Sequence, residues 1–151
     1  MALYLVQHGK SLPKTEDPEK GLSPSGKEET VRIATVAEGY AVPVFRIKHS
    51  GKKRAGETAA IFADHLKPVQ GVDEAVGIMP MDDPAAFAAA LDPLDNAMVV
   101  GHLPFMERLV SLLVTGSTEK KIFKFQNSGI ICLEREDGQW FIKWTLMPKI
   151  G

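Results

Sequence analysis

The chain has 151 residues, of which 44% are hydrophobic and 25% are charged, so it can bury one substantial core and we expect a single domain over residues 1–151. Its 18 basic and 19 acidic side chains leave a net charge of −1, which argues against the broad positive surface that nucleic acids and anionic membranes bind. We find no run of about 18 apolar residues and no secretion signal, so we expect a cytoplasmic protein with no nucleic-acid or membrane partner.

Short β-type runs alternate with helix-type sequence through the first two thirds of the chain. The runs are residues 3–7, 44–49 and 97–100, and a turn follows each of them. A first helix is expected from about Ser23-Pro24 or Ser25 to Ala37, with Ser25 and Glu28 at the spacing of a capping box and Gly39 ending it. Alternation of this kind favours a parallel sheet covered on both faces.

Two further helices are predicted by apolar residues at spacings of three and four. One begins near Arg54 and ends before Pro68. The other begins near Pro104, which suits a first helical turn because the N–H that proline lacks would be unpaired there. Both helices would turn one apolar face towards the sheet.

The remaining segments are less regular. Residues 83–91 are rich in alanine and predict a short helix between Pro84 and Pro93, with a strand before it around residues 69–72. Residues 11–21 contain two prolines and several charges, which is typical of a mobile loop that could act as a lid.

The C-terminal third predicts an antiparallel hairpin. Residues 130–134 and 140–146 flank an Asp137-Gly138 pair, and Trp140, Ile142, Trp144 and Leu146 would alternate onto one face. The single cysteine, Cys132, lies in the first of these strands, where we expect it to be buried and inert. The whole pattern predicts an α/β fold, a three-layer α/β/α sandwich whose mainly parallel central sheet ends in an antiparallel C-terminal hairpin edge.

Polar clusters directly follow three of the predicted parallel strands. The clusters are Gln7-His8-Gly9-Lys10-Ser11, His49-Ser50-Gly51-Lys52-Lys53-Arg54 and Gly101-His102. Ligand sites of open α/β sheets form at the carboxyl ends of the strands, so these clusters should converge on one crevice. Two imidazoles, a guanidinium, several lysines and two helix N-termini would suit a phosphoryl group.

The same residues resemble a known family. The chain is similar to the histidine phosphatase, or phosphoglycerate mutase-like, superfamily through Leu5-Val6-Gln7-His8-Gly9, Ser50 with Arg54-Ala55 and Thr58-Ala59, and Gly101-His102. Its short length, Leu22-Ser23 with Gly26, and Gly101-His102-Leu103-Pro104 look most like the small bacterial phosphohistidine phosphatases.

The resemblance implies a covalent mechanism that needs neither a metal nor a cofactor. His8 would attack phosphorus and form a phosphohistidine intermediate, which water would then hydrolyse. Arg54 would hold two phosphate oxygens, and His102 would donate a hydrogen bond to the charge that builds on the transferring group. The implied partner is a protein bearing phosphohistidine or a small phosphoester.

Further phosphate contacts are expected around these three residues. Gly9 would let the backbone approach the phosphate, Ser50 and Ser11 could supply hydroxyl groups, and Lys52 could supply a charge. Either serine could equally be a turn or cap residue.

One departure from the family pattern concerns the residue before the nucleophile. The family has arginine there, whereas this chain has Gln7, which can still donate two amide hydrogens. Loss of a charge-assisted contact in a transition state costs on the order of 2–4 kcal/mol, or roughly a hundredfold in rate. Lys10, Lys52 or Lys53 could replace the charge, and otherwise the protein would be a weak enzyme or a phosphate-binding regulatory module.

The general acid is the second open question. The family supplies a carboxylate from the segment before the second histidine, and Glu74 is the candidate here. Asp73, Asp82 and Asp83 are alternatives, and all four could also be solvated loop carboxylates.

The sequence also allows two functions other than a phosphatase, a metal-binding site and a mutase. His8, His49 and His102 could meet and bind a metal, but no two histidines have metal-site spacing and the Ser50–Arg54–Thr58 pattern has no role in that case. A mutase is disfavoured because the chain has little spare sequence with which to hold a small molecule in two orientations.

Overall fold

The computed structural model describes residues 1–91 and 95–150, and these form a six-stranded sheet and four helices. The strands are β1 (Ala2–Gln7), β2 (Arg46–His49), β3 (Val72–Glu74), β4 (Ala97–Gly101), β5 (Ile130–Glu136) and β6 (Gln139–Leu146). The helices are α1 (Pro24–Gly39), α2 (Lys53–Leu66), α3 (Pro84–Ala89) and α4 (Phe105–Thr115). Pro93, which was expected to bound α3, lies outside the described residues.

The strands are ordered β3-β2-β4-β1-β5-β6 across the sheet. The first four strands are parallel, β5 pairs antiparallel with β1, and β6 pairs antiparallel with β5. The predicted parallel sheet with an antiparallel C-terminal edge is confirmed. This order places β1 and β4 side by side at the centre, with β2 next to β4, so the three polar clusters emerge close together.

The sheet separates two apolar cores, which confirms the three-layer arrangement. Tyr4 and Val6 face α1 and α2 and pack in a cluster with Phe62, whereas Leu3 and Leu5 face α4 and pack with Phe105. Successive side chains of β1 therefore pack alternately into the two cores. Among the described residues, no helix combines the length and apolar character needed to cross a bilayer.

The hairpin turn is as predicted, but the strand that follows it is not. Asp137 and Gly138 have φ values of 50° and 80°, which suit the two central residues of a type I′ turn. A bulge then leaves Lys143 without a partner in the register, since Leu133 pairs with Ile142 and Cys132 with Trp144.

The bulge reverses the direction of the side chains along β6. Trp140 and Ile142 pack in the α4 core, whereas Trp144 and Leu146 pack in the α1–α2 core. The expectation of one continuous apolar face on this strand is therefore wrong.

The start of α1 agrees with the first of the two starts expected from the sequence. Ser23 is the N-cap, its Oγ accepts a hydrogen bond from the N–H of Gly26 at 3.0 Å, and Pro24 occupies the first helical position. The Ser25–Glu28 capping box does not form, and the helix includes Gly39. The strand expected at residues 69–72 forms later, as β3, on the exposed edge of the sheet.

Candidate active site

His8 directly follows the central strand β1, and its ring is fixed by hydrogen bonds on both nitrogens. Nδ1 lies 2.7 Å from the carbonyl oxygen of Gly9, and Nε of Arg54 donates to Nε2 at 3.3 Å. Because a carbonyl can only accept, Nδ1 carries the proton. Nε2 therefore presents a lone pair towards the guanidinium, which is the arrangement a nucleophilic imidazole needs.

The backbone around His8 is held by groups from distant parts of the chain. The N–H of His8 donates to the carbonyl of Gly101 at 3.0 Å, Asn127 Nδ2 donates to the carbonyl of His8 at 2.8 Å, and the N–H of Gly9 donates to Thr58 Oγ1 at 2.9 Å. These contacts tie His8 and Gly9 to β4, α2 and the loop before β5.

Gly9 is required by packing. A Cβ at this position would lie 2.8 Å from Thr30 Oγ1 and 3.0 Å from Ser128 Oγ, and those two hydroxyls are hydrogen-bonded to each other. Its N–H is already used by Thr58. The geometry thus accounts for the glycine without the phosphate approach that the resemblance implies.

His102 and Ser50 form a pair beside His8. His102 follows β4 and is buried, its Nε2 lies 2.6 Å from Ser50 Oγ, and its ring centroid is 5.1 Å from that of His8. Ser50 follows β2 and also accepts from the N–H of Lys52 at 3.4 Å. Since Ser50 occupies Nε2, that nitrogen reaches a phosphate either through the serine or by exchanging it for a phosphate oxygen.

Both histidines of the site are neutral at physiological pH. Burial is the largest cause that lowers the pKa of His8 to about 4 and that of His102 to about 3. The nearby charges of Arg54 and Lys20 lower both pKa values further, while the hydrogen bond to Gly9 opposes the shift of His8. A neutral His8 has the lone pair that attack on phosphorus requires.

The start of α2 places two cationic side chains, Lys52 and Arg54, at the site. Lys52 is the N-cap, makes no capping hydrogen bond through its side chain, and lies close enough to His102 to lower its pKa. Arg54 and Lys52 line a cavity of about 390 Å³ with Lys20 and Gly51. An uncapped helix N-terminus and several cations beside two neutral imidazoles favour an anion.

Glu74, the candidate acid, lies at the end of β3 beside the turn that carries Ser50. It is exposed, and a Cβ at Gly51 would come within 3.0 Å of its Oε2. No hydrogen bond among the described residues joins it to His8, Arg54 or His102. Of the alternative carboxylates, Asp82 accepts from the N–H of Met79 and Asp83 caps α3.

Two other residues named from the sequence, Ser11 and His49, form no hydrogen bond to His8 or His102 within the described structure. Ser11 pairs through its backbone with Leu22. His49 packs against Gly56 and accepts from the N–H of Gly51, and His65 pairs with Glu38 at 2.8 Å. In residues 1–91 and 95–150, no three His, Cys, Asp or Glu side chains are grouped as metal ligands.

Comparison with known proteins identifies the fold. No family model and no curated protein matches the sequence. Among solved structures, the protein histidine phosphatase SixA complexed with tungstate aligns with a TM-score of 0.84 and 24% identity over 98% of this chain and 97% of its own. The alpha-ribazole phosphatase from Shigella flexneri aligns with a TM-score of 0.80 and 13% identity over 100% and 98% of the two chains.

A third structure agrees with these two. A phosphoserine phosphatase mutant from Entamoeba histolytica in complex with phosphoserine aligns with a TM-score of 0.73 and 14% identity over 98% of both chains. The chain has the histidine phosphatase fold. At these identities the likeness concerns the fold, and the site has to be argued from this chain's own residues.

Within the histidine phosphatase fold, Gln7 keeps its place at the end of β1. It pairs with Gly101 in β4 and forms a backbone bridge with Asn127, and its carbonyl accepts from the N–H of Ser128 at 2.9 Å. The backbone around Gln7 is therefore fixed on both sides, and its side chain carries no charge.

Two residues near the histidines were missed by the sequence analysis. Asn127 precedes β5 in a segment without a clear pattern, and only its hydrogen bond to His8 marks it. Lys20 belongs to the loop at residues 11–21, whose composition indicates mobility. Hydrogen bonds hold that loop together, since the N–H of Leu12 donates to the carbonyl of Gly21 and the carboxylate of Asp17 accepts from the N–H of Gly21. Asp17 also accepts from Lys53 of α2.

Proposed function

We propose that this protein is a phosphatase that uses His8 as its nucleophile and passes through a phosphohistidine intermediate. The observation that carries the proposal is the pair of contacts on the His8 ring. Nδ1 donates to the carbonyl of Gly9, and Nε2 accepts a hydrogen bond from Nε of Arg54 at 3.3 Å. A phosphate bound by Arg54 would therefore meet the lone pair of Nε2.

In the first step, Nε2 of His8 attacks phosphorus while the bond from phosphorus to the leaving group breaks. The new N–P bond makes the ring cationic, and the carbonyl of Gly9 stabilises that charge through Nδ1–H. Arg54 neutralises charge on the phosphoryl oxygens, and the Ser50–His102 pair provides further hydrogen bonding. The leaving group keeps the electron pair and needs a proton unless it already carries one.

In the second step, water attacks phosphorus, the N–P bond breaks and its electrons return to His8. Inorganic phosphate leaves and the neutral imidazole is restored. Glu74 is the proposed acid for an alkoxide leaving group, although it must approach from the neighbouring turn. An imidazole leaving group can depart already protonated, so the exposed position of Glu74 is less of a cost for a phosphohistidine substrate.

The proposed substrate is phosphohistidine in a protein or a small phosphomonoester. One neighbour is a protein histidine phosphatase solved with tungstate, a tetrahedral oxyanion like phosphate. Others are phosphatases of alpha-ribazole and of phosphoserine. The polar cavity lined by Arg54 and Lys52 is linked to His8 through Arg54, which donates to its Nε2, and it supports an anionic substrate group of either kind.

The experiment compares wild type and His8→Ala on an aryl phosphate and on a protein carrying phosphohistidine, with trapping of an acid-labile phosphoenzyme. Turnover and trapping should both vanish in His8→Ala. The matched control is His65→Ala, because His65 pairs with Glu38 between α1 and α2. Wild-type turnover that survives in His8→Ala would contradict the mechanism.

A second function, that of a phosphate-binding regulatory module, is favoured by one observation. Gln7 stands where the family has arginine, so one transition-state charge is missing at that position. In that case wild type would bind inorganic phosphate without turning over either substrate or forming a phosphoenzyme. The same experiment therefore distinguishes the two functions.

A further inference from the structure

Lys20 is a half-buried cation in the loop that faces the first turn of α2. It lines the same cavity as Arg54 and Lys52, next to Gly51. No ion pair between described residues involves Lys20, although Asp17 and Glu19 lie in the same loop. Within the described residues, Lys20 thus adds a cation without an ion-pair partner to the cavity that Arg54 lines, and Glu19 lines that cavity too.

The other lysines considered from the sequence have different positions. Lys53 is bound to Asp17 at 3.0 Å and lies 3.8 Å from Glu19, so its charge is neutralised within the loop contact. Lys10 is exposed and lines a separate cavity with Lys124 and Lys149. Lys52 lines the same cavity as Lys20, but its charge lowers the pKa of His102 and is not among the causes that lower the pKa of His8.

We propose that Lys20 binds the phosphoryl group and supplies the positive charge that Gln7 does not. This inference rests on the proposed phosphatase function and deepens it. Lys20 lines the cavity from the loop, whereas Gln7 is the last residue of β1. The charge would be restored at the site from a different segment of the chain.

The loop is built to hold Lys20 in place. The N–H of Lys20 donates to the carbonyl of Asp17 at 2.9 Å, and the carboxylate of Asp17 accepts from the N–H of Gly21 and from Lys53. Just beyond the loop, the N–H of Leu22 donates to Glu57 Oε1 at 2.8 Å. Lys53 and Glu57 both belong to α2, so the loop is anchored to the helix that carries Arg54.

The electrostatics of the two histidines agree with this position. The charge of Lys20 contributes to lowering the pKa of both His8 and His102, although burial is the larger cause in each case. Lys20 is thus close enough to both rings for its charge to act on them, as is Arg54, which lines the same cavity.

The variants that test this are Lys20→Met, Lys20→Arg, Gln7→Arg and the double variant Gln7→Arg/Lys20→Met. Lys20 has a φ of 53°, which methionine and arginine tolerate about as well as lysine, so the charge is the main change. The matched control is Lys14→Met, since Lys14 is an exposed lysine of the same loop and lines the same cavity. Thermal unfolding of each variant verifies that it is folded.

We expect Lys20→Met to lower kcat/KM by about tenfold to a hundredfold, and Lys20→Arg to stay within about threefold of wild type. Gln7→Arg should restore most of the loss, so Lys20→Met should cost much less in the Gln7→Arg background. Equal losses in both backgrounds, or an effect no larger than that of Lys14→Met, would overturn the proposal.

A binding measurement separates this inference from the proposed function. Calorimetric titration with inorganic phosphate needs no turnover, and Lys20→Met should weaken binding by about tenfold while Lys14→Met does not. If wild type shows no turnover and no phosphoenzyme, the phosphatase proposal fails, and the phosphate affinities still decide the role of Lys20. Unchanged affinity in Lys20→Met would refute that role whatever the activity.

Discussion

Oγ of Ser50 lies 2.6 Å from Nε2 of His102, and this contact joins the end of β2 to the end of β4 beside His8. The serine is buried. Among the described residues, Ser50 is the hydrogen-bond partner of the His102 ring, because Nε2 contacts Ser50 and Nδ1 has no partner. The two side chains therefore form one unit in the site.

Ser50→Ala should lower kcat by roughly tenfold to a hundredfold, because His102 would lose the contact that orients it. His102→Asn should have an effect of similar size, and the double variant should be little worse than either single variant. Steady-state kinetics of the three variants measure this coupling. Ser111→Ala is the control, since Ser111 is also a buried serine but lies in α4. Fully multiplicative losses would show that the two residues act independently.

The pH dependence of kcat/KM should reflect the lowered pKa of His8. Because burial reduces this pKa to about 4, the nucleophile stays neutral well below the ordinary histidine pKa of about 6.5. We expect the rate of the free enzyme to be maintained on acidification until the pH approaches 4, after correction for ionisation of the substrate. A half-maximal rate near pH 6.5 would contradict this environment for His8.

Folding stability should also depend on these histidines. The folded pKa values of His8 and His102 lie below the unfolded value, so between about pH 6.5 and 4 the unfolded chain binds more protons and stability falls as the pH falls. The loss is on the order of 1–3 kcal/mol for each ring. Urea unfolding at about pH 7 and about pH 4.5 measures it, and His8→Asn should lose less than wild type. An equal loss in the two proteins would be inconsistent with a buried neutral His8.

Gly9→Ala should destabilise the protein by about 1–3 kcal/mol, because the added methyl group would press on Thr30, Ser128 and Leu22. Gly39→Ala is the control at a glycine where an added methyl group meets no other atom. Nothing lies within 4 Å of a Cβ at Gly39, which is the last residue of α1, so alanine there should be neutral or stabilising by up to about 1 kcal/mol. Thermal unfolding of the pair tests the packing argument directly.

Cys132 should resist thiol reagents in the folded protein. It is 1% exposed in β5, and burial raises its pKa to about 11, so thiolate is scarce at neutral pH. Labelling with a disulfide reagent should be slow in buffer and fast in denaturant. Rapid labelling of the native protein would mean that β5 opens readily.

Much of the architecture could be predicted because the patterns that predict it are local. Alternation in β1, the spacing of apolar residues in α2 and the Asp137-Gly138 turn each depend on neighbouring residues. The bulge at Lys143 was missed because the apolar residues of β6 keep a perfect period of two while the pairing shifts by one residue. The face of the sheet on which the side chains lie after a bulge depends on the pairing with the partner strand. The sequence pattern within β6 therefore does not predict it.

The site was predicted in part for a related reason. His8, Ser50, Arg54 and His102 follow strands or begin a helix, so their convergence follows from the topology of a parallel sheet. Lys20 lies in a loop whose polar composition is typical of exposed segments. Its position depends on the contacts of Asp17 with Gly21 and Lys53, which are visible only once α2 and the loop are packed together.

The hydrogen bonds that hold His8 have a consequence for how the protein is made. They join residues 49 positions apart between Gly9 and Thr58, and 119 positions apart between His8 and Asn127, while Ser50 and His102 are 52 apart. A chain emerging from the ribosome therefore presents His8 well before Asn127, which holds its carbonyl, has been made. The proposed chemistry would begin only after synthesis has passed Asn127, since a shorter chain lacks this contact.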